Sequence, residues 1–253
     1  ANNIMKELVA AGCSFVEGSS MVVKHKWSKK IETVDNKTAE KNRLTKLLSN
    51  ELNIKEINLA NSGGSNERAI RRLYEYVNKN GGKDKIFIIG LTELLRKEKY
   101  SSKTKSYIKW RNTIFFDEIA NIDNLDDNLF KLVPSSFLFH DIIKRDGLLN
   151  KLKEYAKLDI LYFTDIENEL KKLSQQLNML NSYIKNKNGK FVVFSAMLEE
   201  ADNLSTDFDV LKMPVGNSWR EFIDSYDPDY HFSHHPAIAD EHILSKHILK
   251  VLN

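Results

Sequence analysis

The sequence predicts an α/β fold in which a mostly parallel sheet is covered by helices on both faces. Three observations carry this. Lys85-Ile86-Phe87-Ile88-Ile89-Gly90 is an uninterrupted apolar run, the pattern of a strand buried on both faces. Strand-like and helix-like segments alternate from residue 8 to residue 90, which is βαβ logic with right-handed crossovers. At 253 residues and 42% hydrophobic content the chain can bury one large core, so a single domain over 1–253 is expected.

Taken in order, Leu8-Val9-Ala10-Ala11 is a short apolar strand that stops at Gly12 and delivers Ser14 to its end, with Gly18 closing the turn. A serine so placed stands at the carboxyl edge of the sheet, where open α/β folds place their ligands. The glycines let a substrate approach the backbone closely. Met21 to Asn36 is polar and mixed, and reads as a loop with a short helix around Trp27. Thr38-Ala39-Glu40 opens a helical pattern that sets Leu44, Leu47, Leu48 and Leu52 on one face. Ile54 to Ala60 alternates like a strand and runs into Asn61-Ser62-Gly63-Gly64-Ser65-Asn66, a turn and helix cap together. Ala69, Ile70, Leu73 and Val77 follow at helical spacing until Gly81-Gly82. The strand around Phe87 comes next.

From Tyr100 to about Phe163 the period is lost, and Trp110, Phe115, Phe116, Phe130, Phe137 and Phe139 punctuate a charged segment. It reads as a mainly helical insertion packed outside the sheet, its aromatics forming a satellite core. Leu170, Leu173, Leu177, Leu180 and Ile184 mark a long amphipathic helix. Gly189 to Phe194 is a fourth strand and Phe208-Asp209-Val210-Leu211 a short fifth. Pro236 opens a last helix with Leu244, Ile248, Val251 and Leu252 on one face.

The formal charge is +3 against 38 basic and 35 acidic side chains, which are interspersed. No basic stripe argues for nucleic acid, and no run reaches the length of a membrane span. One cysteine rules out an internal disulfide framework. Ala10-Ala11-Gly12-Cys13 has the look of a lipoprotein cleavage box, but Glu7 falls where its apolar region should be. The strand reading prevails, no signal peptide is visible, and a cytoplasmic location is the default. Oligomeric state is not legible.

Ser14, Gly63 and Thr92 each fall at a strand end, and His235-Pro236 precedes the last helix. Strand ends of a parallel sheet converge on one edge, so these residues can meet. A serine nucleophile needs a base, and the developing oxyanion needs donors aimed at it. The N–H groups of Ser14 and Gly63 and the hydroxyl of Thr92 are the candidates.

This order resembles the SGNH, or GDSL, hydrolases, esterases and lipases with a three-layer flavodoxin-like fold and a sheet of about five strands. Their first block is similar to Gly12-Cys13-Ser14 with Gly18, their second to Asn58-Leu59-Ala60-Asn61-Ser62-Gly63. Their third is answered by Gly90-Leu91-Thr92-Glu93 and their fifth by Phe232-Ser233-His234-His235-Pro236. The resemblance implies a nucleophile at Ser14, a base at His235 and an oxyanion hole from Ser14, Gly63 and Thr92. It also implies a small-molecule or carbohydrate ester as substrate, an O-acetylated sugar being within the family's range, with no cofactor and no metal.

Three positions depart from the family pattern. Cys13 stands in place of the first-block Asp, Thr92 in place of the third-block Asn, and Phe232 in place of the Asp that orients the histidine. In serine proteases loss of that orienter lowers turnover by roughly 10⁴. Asp229 or His231 can substitute for it, or a backbone carbonyl can hold the ring in a Ser-His dyad. Asn66 and Arg96 are further candidates for substrate contact; Arg68 and Arg96 can meet an anionic substrate or simply face solvent. A phosphate cradle at Gly63-Gly64-Ser65 lacks the Lys-Ser/Thr of a P-loop. His234 and His235 face opposite ways on extended chain, and His242 and His247 are poorly spaced for a shared metal. Against the esterase stands a second class: a binding or structural protein that keeps the fold without turnover.

Overall fold

The computed structural model describes residues 5–19, 21–24, 31–102, 106–111, 146–147, 151, 155, 158, 165–226 and 235–252. Strand β1 (Glu7–Ala11) leads into the short helix α1 (Ser14–Glu17). Strands β2 (Val22–Lys24) and β3 (Ile31–Thr33) pair antiparallel, where the sequence predicts a loop. Three-residue strands are too short to show a period. Trp27 lies outside the described residues.

Helices α2 (Asn36–Asn42) and α3 (Leu44–Glu51) replace the single predicted helix. Arg43 breaks it with an extended backbone (φ −65°, ψ 148°). Its guanidinium forks onto Glu56 of β4 (Lys55–Asn58), Nε to Oε1 and Nη2 to Oε2, both at 2.8 Å. A bidentate pair of this kind fixes orientation as well as distance. Helix α4 (Asn66–Asn80) and strand β5 (Lys85–Leu91) follow.

Strands β6 (Arg96–Ser101) and β7 (Ser106–Arg111) form an antiparallel hairpin. The segment expected to be helical from Tyr100 therefore begins as sheet, though not as part of the central one; most of the remainder lies outside the described residues. Arg68 and Arg71 of α4 both bond Glu98 of β6, at 3.1 and 2.8 Å, and anchor the hairpin to that helix. The chain continues through α5 (Ile166–Asn186), β8 (Lys190–Ser195), a 3₁₀ turn (Glu199–Asn203), α6 (Trp219–Tyr226) and α7 (Ile238–Leu252).

The central sheet has the order β4-β1-β5-β8, and every pairing in it is parallel. The predicted fifth strand appears as a single parallel bridge, Phe194 to Leu211. Alternation along each strand then divides the core in two. Leu8, Ala10, Ile86, Ile88 and Phe194 face Leu44 and Leu48 of α3, Trp219 and Ile223 of α6, and Leu244 and Ile248 of α7. Val9, Ala11, Phe87, Ile89 and Val193 face Leu73 and Val77 of α4 and Leu177, Leu180 and Ile184 of α5. Helices on both faces of a parallel sheet make a three-layer α/β domain. Its β1/β5 junction is the point where the connections change direction, the place where such sheets bind ligands.

Candidate functional site at the carboxyl edge of the sheet

The turn after β1 is built around missing side chains. A Cβ at Gly12 would lie 2.6 Å from Val16 Cγ2 and 2.9 Å from the Gly90 carbonyl oxygen. One at Gly90 would lie 2.5 Å from the same Cγ2 and 2.8 Å from Phe194 Cζ. Val16 fills the space both glycines leave, which seats α1 directly on the strand ends. Cys13 is the N-cap, with no side-chain capping bond, and its carbonyl accepts from Val16 N at 3.1 Å and Glu17 N at 3.0 Å. Ser14 is thus the first residue of α1 and is buried. Gly18, in the left-handed region at φ 79°, ends the helix.

The turn after β4 lies against it. Asn61 N donates to the Gly12 carbonyl at 3.1 Å, and Ser62 N to Glu17 Oε2 at 2.7 Å. Asn58 Nδ2 donates to the Val16 carbonyl at 2.9 Å, fastening the end of β4 to α1. Gly63 has φ 68°, which suits glycine. Ser65 then caps α4, its Oγ accepting from Arg68 N at 3.2 Å. Among the described residues neither the Ser14 nor the Gly63 backbone N–H finds a hydrogen-bond acceptor.

After β5, Thr92 is fully enclosed. Its N–H donates to Asn66 Oδ1 at 2.8 Å, and Asn66 Nδ2 donates to its carbonyl at 2.9 Å. Asn66, a candidate for substrate contact, therefore clamps the third strand end with both side-chain atoms. The Thr92 hydroxyl faces Met197 Sδ at 3.9 Å, as do Cys13 Sγ at 3.8 Å and Arg96 Nη2 at 3.6 Å. Arg96 is 3% exposed, which removes the solvent-facing alternative for it. Its Nε donates to Glu93 Oε2 at 2.7 Å, and the other Glu93 oxygen lies 3.5 Å from Arg220 Nη1. Arg220 is placed by the start of α6. There Glu221 N donates to Ser218 Oγ at 3.2 Å and Ser218 N to Glu221 Oε2 at 3.0 Å, a capping box. Arg220 N also donates to the Ala196 carbonyl just past β8. Burial, with the neighbouring Glu221 charge, holds the Glu199 carboxyl above its ordinary range.

His235 lies next to this turn: its ring is 5.9 Å, centroid to centroid, from that of Phe15, the residue after Ser14. Asp229, His231, Phe232 and His234 lie outside the described residues. The carboxyl edge thus gathers Ser14, Gly63, Asn66, Thr92 and Arg96 from three strand ends. Sequence reasoning missed Met197 and Arg220. A methionine after an apolar strand looks like core, and nothing in its own sequence marks the sulfur as the meeting point of Cys13, Thr92 and Arg96. Among the described residues no three His, Cys, Asp or Glu side chains are grouped to hold a metal ion. None of the described helices is long and apolar enough to cross a membrane.

No family model matches the chain, and none of the curated proteins does. Solved structures align with it at low identity. A carbohydrate esterase, whose active site is described as displaying divergent catalytic and non-catalytic binding functions, is 14% identical, with 98% of this chain and 68% of that one covered and a TM-score of 0.35. The acetyl xylan esterase Est2A from the rumen bacterium Butyrivibrio proteoclasticus is 10% identical over 98% of this chain, with a TM-score of 0.38; the chain spans 63% of that protein's length. A protein described as lipolytic and of the G-D-S-L family, from Desulfitobacterium hafniense DCB-2, is 12% identical over 97% of this chain and 99% of its own, with a TM-score of 0.31.

Proposed function

We propose that the chain is a serine esterase of the SGNH type that hydrolyses an ester-linked acyl group, an O-acetyl on a carbohydrate being the substrate class assigned. One observation carries the reading. Ser14 opens a helix without serving as its cap, and two backbone N–H groups of these strand-end turns, its own and that of Gly63, have no acceptor among the described residues. Donors held in place before charge develops are what an oxyanion requires.

In this mechanism Ser14 Oγ attacks the ester carbonyl carbon and its proton passes to a ring nitrogen of His235. The tetrahedral oxyanion accepts from the N–H groups of Ser14 and Gly63. Thr92 adds its hydroxyl by turning from Met197, a weak acceptor that holds it loosely. The alcohol leaves with the proton from His235. Water, deprotonated by His235, then attacks the acyl-enzyme and releases the acid and Ser14. Asp229 is assigned to orient the far ring nitrogen. Asn66 acts here as a positioning residue that fixes Thr92.

A second reading, an SGNH-like binding protein without turnover, is favoured by one contact. Thr92 has its amide engaged by Asn66 and its hydroxyl on sulfur, which leaves the oxyanion two donors instead of three. Hydrolysis of a short-chain aryl ester and of acetylated sugars decides between them. Loss of activity in both Ser14→Ala and His235→Ala supports the esterase. Activity that survives Ser14→Ala refutes the serine mechanism, and an inert wild type across these esters favours the binding protein. A drop on the order of 10³–10⁴ in Asp229→Asn or His231→Ala identifies the orienter, and no drop in either indicates a dyad.

A further inference from the structure

Arg96 has donors that the fold does not use. A guanidinium presents five N–H groups in a planar fork that matches a carboxylate. Arg96 is buried, yet among the described residues Nη1 has no hydrogen-bond partner and Nη2 meets only the Met197 sulfur at 3.6 Å. A thioether is a weak acceptor. A buried cation with unpaired donors is unfavourable, and such exceptions call for a reason.

A purely structural ion pair would close the fork, with both Glu93 oxygens on Arg96. Glu93 instead gives Arg96 one oxygen, on Nε at 2.7 Å, and directs the other toward Arg220 at 3.5 Å. That arrangement anchors the guanidinium and leaves its Nη1–Nη2 edge without a charged partner among the described residues. The group on that edge is the side chain most able to move: methionine is unbranched, with three rotatable bonds. The same sulfur touches Cys13 Sγ at 3.8 Å and Thr92 Oγ1 at 3.9 Å. Met197 therefore separates the open edge of Arg96 from the residues flanking Ser14.

We propose that Arg96 is a substrate-binding residue for a carboxylate carried by the ester itself, reached when Met197 swings aside, so that the substrate class is an acidic ester and not a neutral one. The inference rests on the esterase reading for its chemistry, but not for its binding. The carboxylate can belong to the acyl part or to the alcohol part, as in an acetylated uronate.

The test pairs charged and neutral probes. Wild-type kcat/KM is compared between the 4-nitrophenyl esters of acetate and of succinate (charge in the acyl part), and between O-acetylated galactose and O-acetylated galacturonate (charge in the alcohol part). A charge-assisted pair predicts a preference of about tenfold or more for the acidic member of one pair, collapsing toward parity in Arg96→Gln and partly restored in Arg96→Lys. In parallel, calorimetry measures succinate and galacturonate binding to the Ser14→Ala protein with and without Arg96→Gln. If neutral esters are hydrolysed with no acidic preference in either pair, and neither anion binds, the carboxylate subsite is overturned while the esterase stands. If no ester is hydrolysed but an anion binds in an Arg96-dependent way, the esterase falls and the subsite stands. Should Arg96→Gln fail to fold, the wild-type ratios and the Arg96→Lys protein still decide: parity in both pairs overturns the proposal.

Discussion

Two neighbouring strand ends carry the same three-residue pattern, Gly12-Cys13-Ser14 and Gly63-Gly64-Ser65, and use it differently. Ser65 is the N-cap of α4 and its hydroxyl satisfies the amide of Arg68. Ser14 sits one position further in, as the first residue of α1, after an N-cap whose side chain makes no capping bond. A capping serine is committed to the backbone. A serine one residue later is not, and its helix start keeps its orphan N–H groups. The one-residue offset, more than the residues themselves, separates a structural serine from an available one. It follows from packing: Val16 occupies the space left by Gly12 and Gly90 and draws α1 tight onto the sheet.

The sharpest way to break this comparison is to remove both hydroxyls in turn. Ser14→Ala is expected to abolish ester hydrolysis, a loss of 10³-fold or more on the scale of a catalytic nucleophile, with the thermal midpoint little changed. Ser65→Ala is expected to do the reverse, lowering stability by about 1 kcal/mol, or ~2–4 °C, with turnover retained. Thermal denaturation and aryl-ester hydrolysis on the same two proteins check both halves. If Ser65→Ala abolishes turnover while Ser14→Ala lowers only the midpoint, the roles are reversed and the comparison fails.

The next effect tests the packing explanation. Gly12→Ala forces a methyl to within 2.6 Å of Val16 Cγ2 and 2.9 Å of the Gly90 carbonyl oxygen. Overpacking of this kind costs about 1–3 kcal/mol, and α1 must move off the strand ends to relieve it. Both midpoint and turnover are expected to fall. Trimming Val16 to Ala in the same chain is expected to recover part of the stability. Recovery would place the clash at Val16; none would place it in the backbone, at the Gly90 carbonyl or in the φ of 155° that an L side chain rarely adopts.

How much of this was legible follows from how much each feature depends on neighbours far along the chain. Strand β5 is legible because Ile86 to Ile89 is apolar on both faces. Helices α4 and α5 are legible because Leu73, Val77, Leu177 and Ile184 keep a helical period. The break at Arg43 is not, because Leu44 and Leu48 continue the apolar face and only the fork onto Glu56 shows why the chain turns. The hairpin from Arg96 to Arg111 is not legible, because it carries Lys, Glu, Tyr and Trp without an apolar period, and from Tyr100 on the sequence predicts a helical insertion instead. At the site, Ser14, Gly63 and Thr92 are visible as strand-end residues. The Asn66 clamp and the Met197 junction are tertiary contacts between residues up to 184 positions apart, and no local pattern announces them.

The last test concerns a third helix start. Helix α3 follows Arg43, which, like Cys13, supplies no side-chain cap. Here a buried carboxyl from α7 lies close by: Glu241 faces the Leu44 amide at the first turn, and its Oε2 has no hydrogen-bond partner among the described residues. Burial, then the Asp240 charge, pushes the Glu241 pKa well above its ordinary range, and the Leu44 hydrogen bond opposes them. Asp240 itself accepts from Ala237 N and the Tyr226 hydroxyl. The sign follows from linkage. A carboxyl whose pKa is raised on folding makes its contribution in full below the unfolded value, near 4.5, and loses it as pH rises toward the folded value. Glu241→Gln keeps a neutral side chain at every pH, so the wild type minus variant difference in unfolding free energy should fall steadily as pH rises above about 4.5, by no more than about 1.4 kcal/mol per pH unit. Chemical denaturation of both proteins between pH 4 and 8 measures it. A flat difference would mean that Glu241 titrates alike in folded and unfolded chains. A difference that rises with pH would mean that the Leu44 amide outweighs burial, and that a helix start left uncapped by its own residues can hold an anion, as the start of α1 is proposed to do.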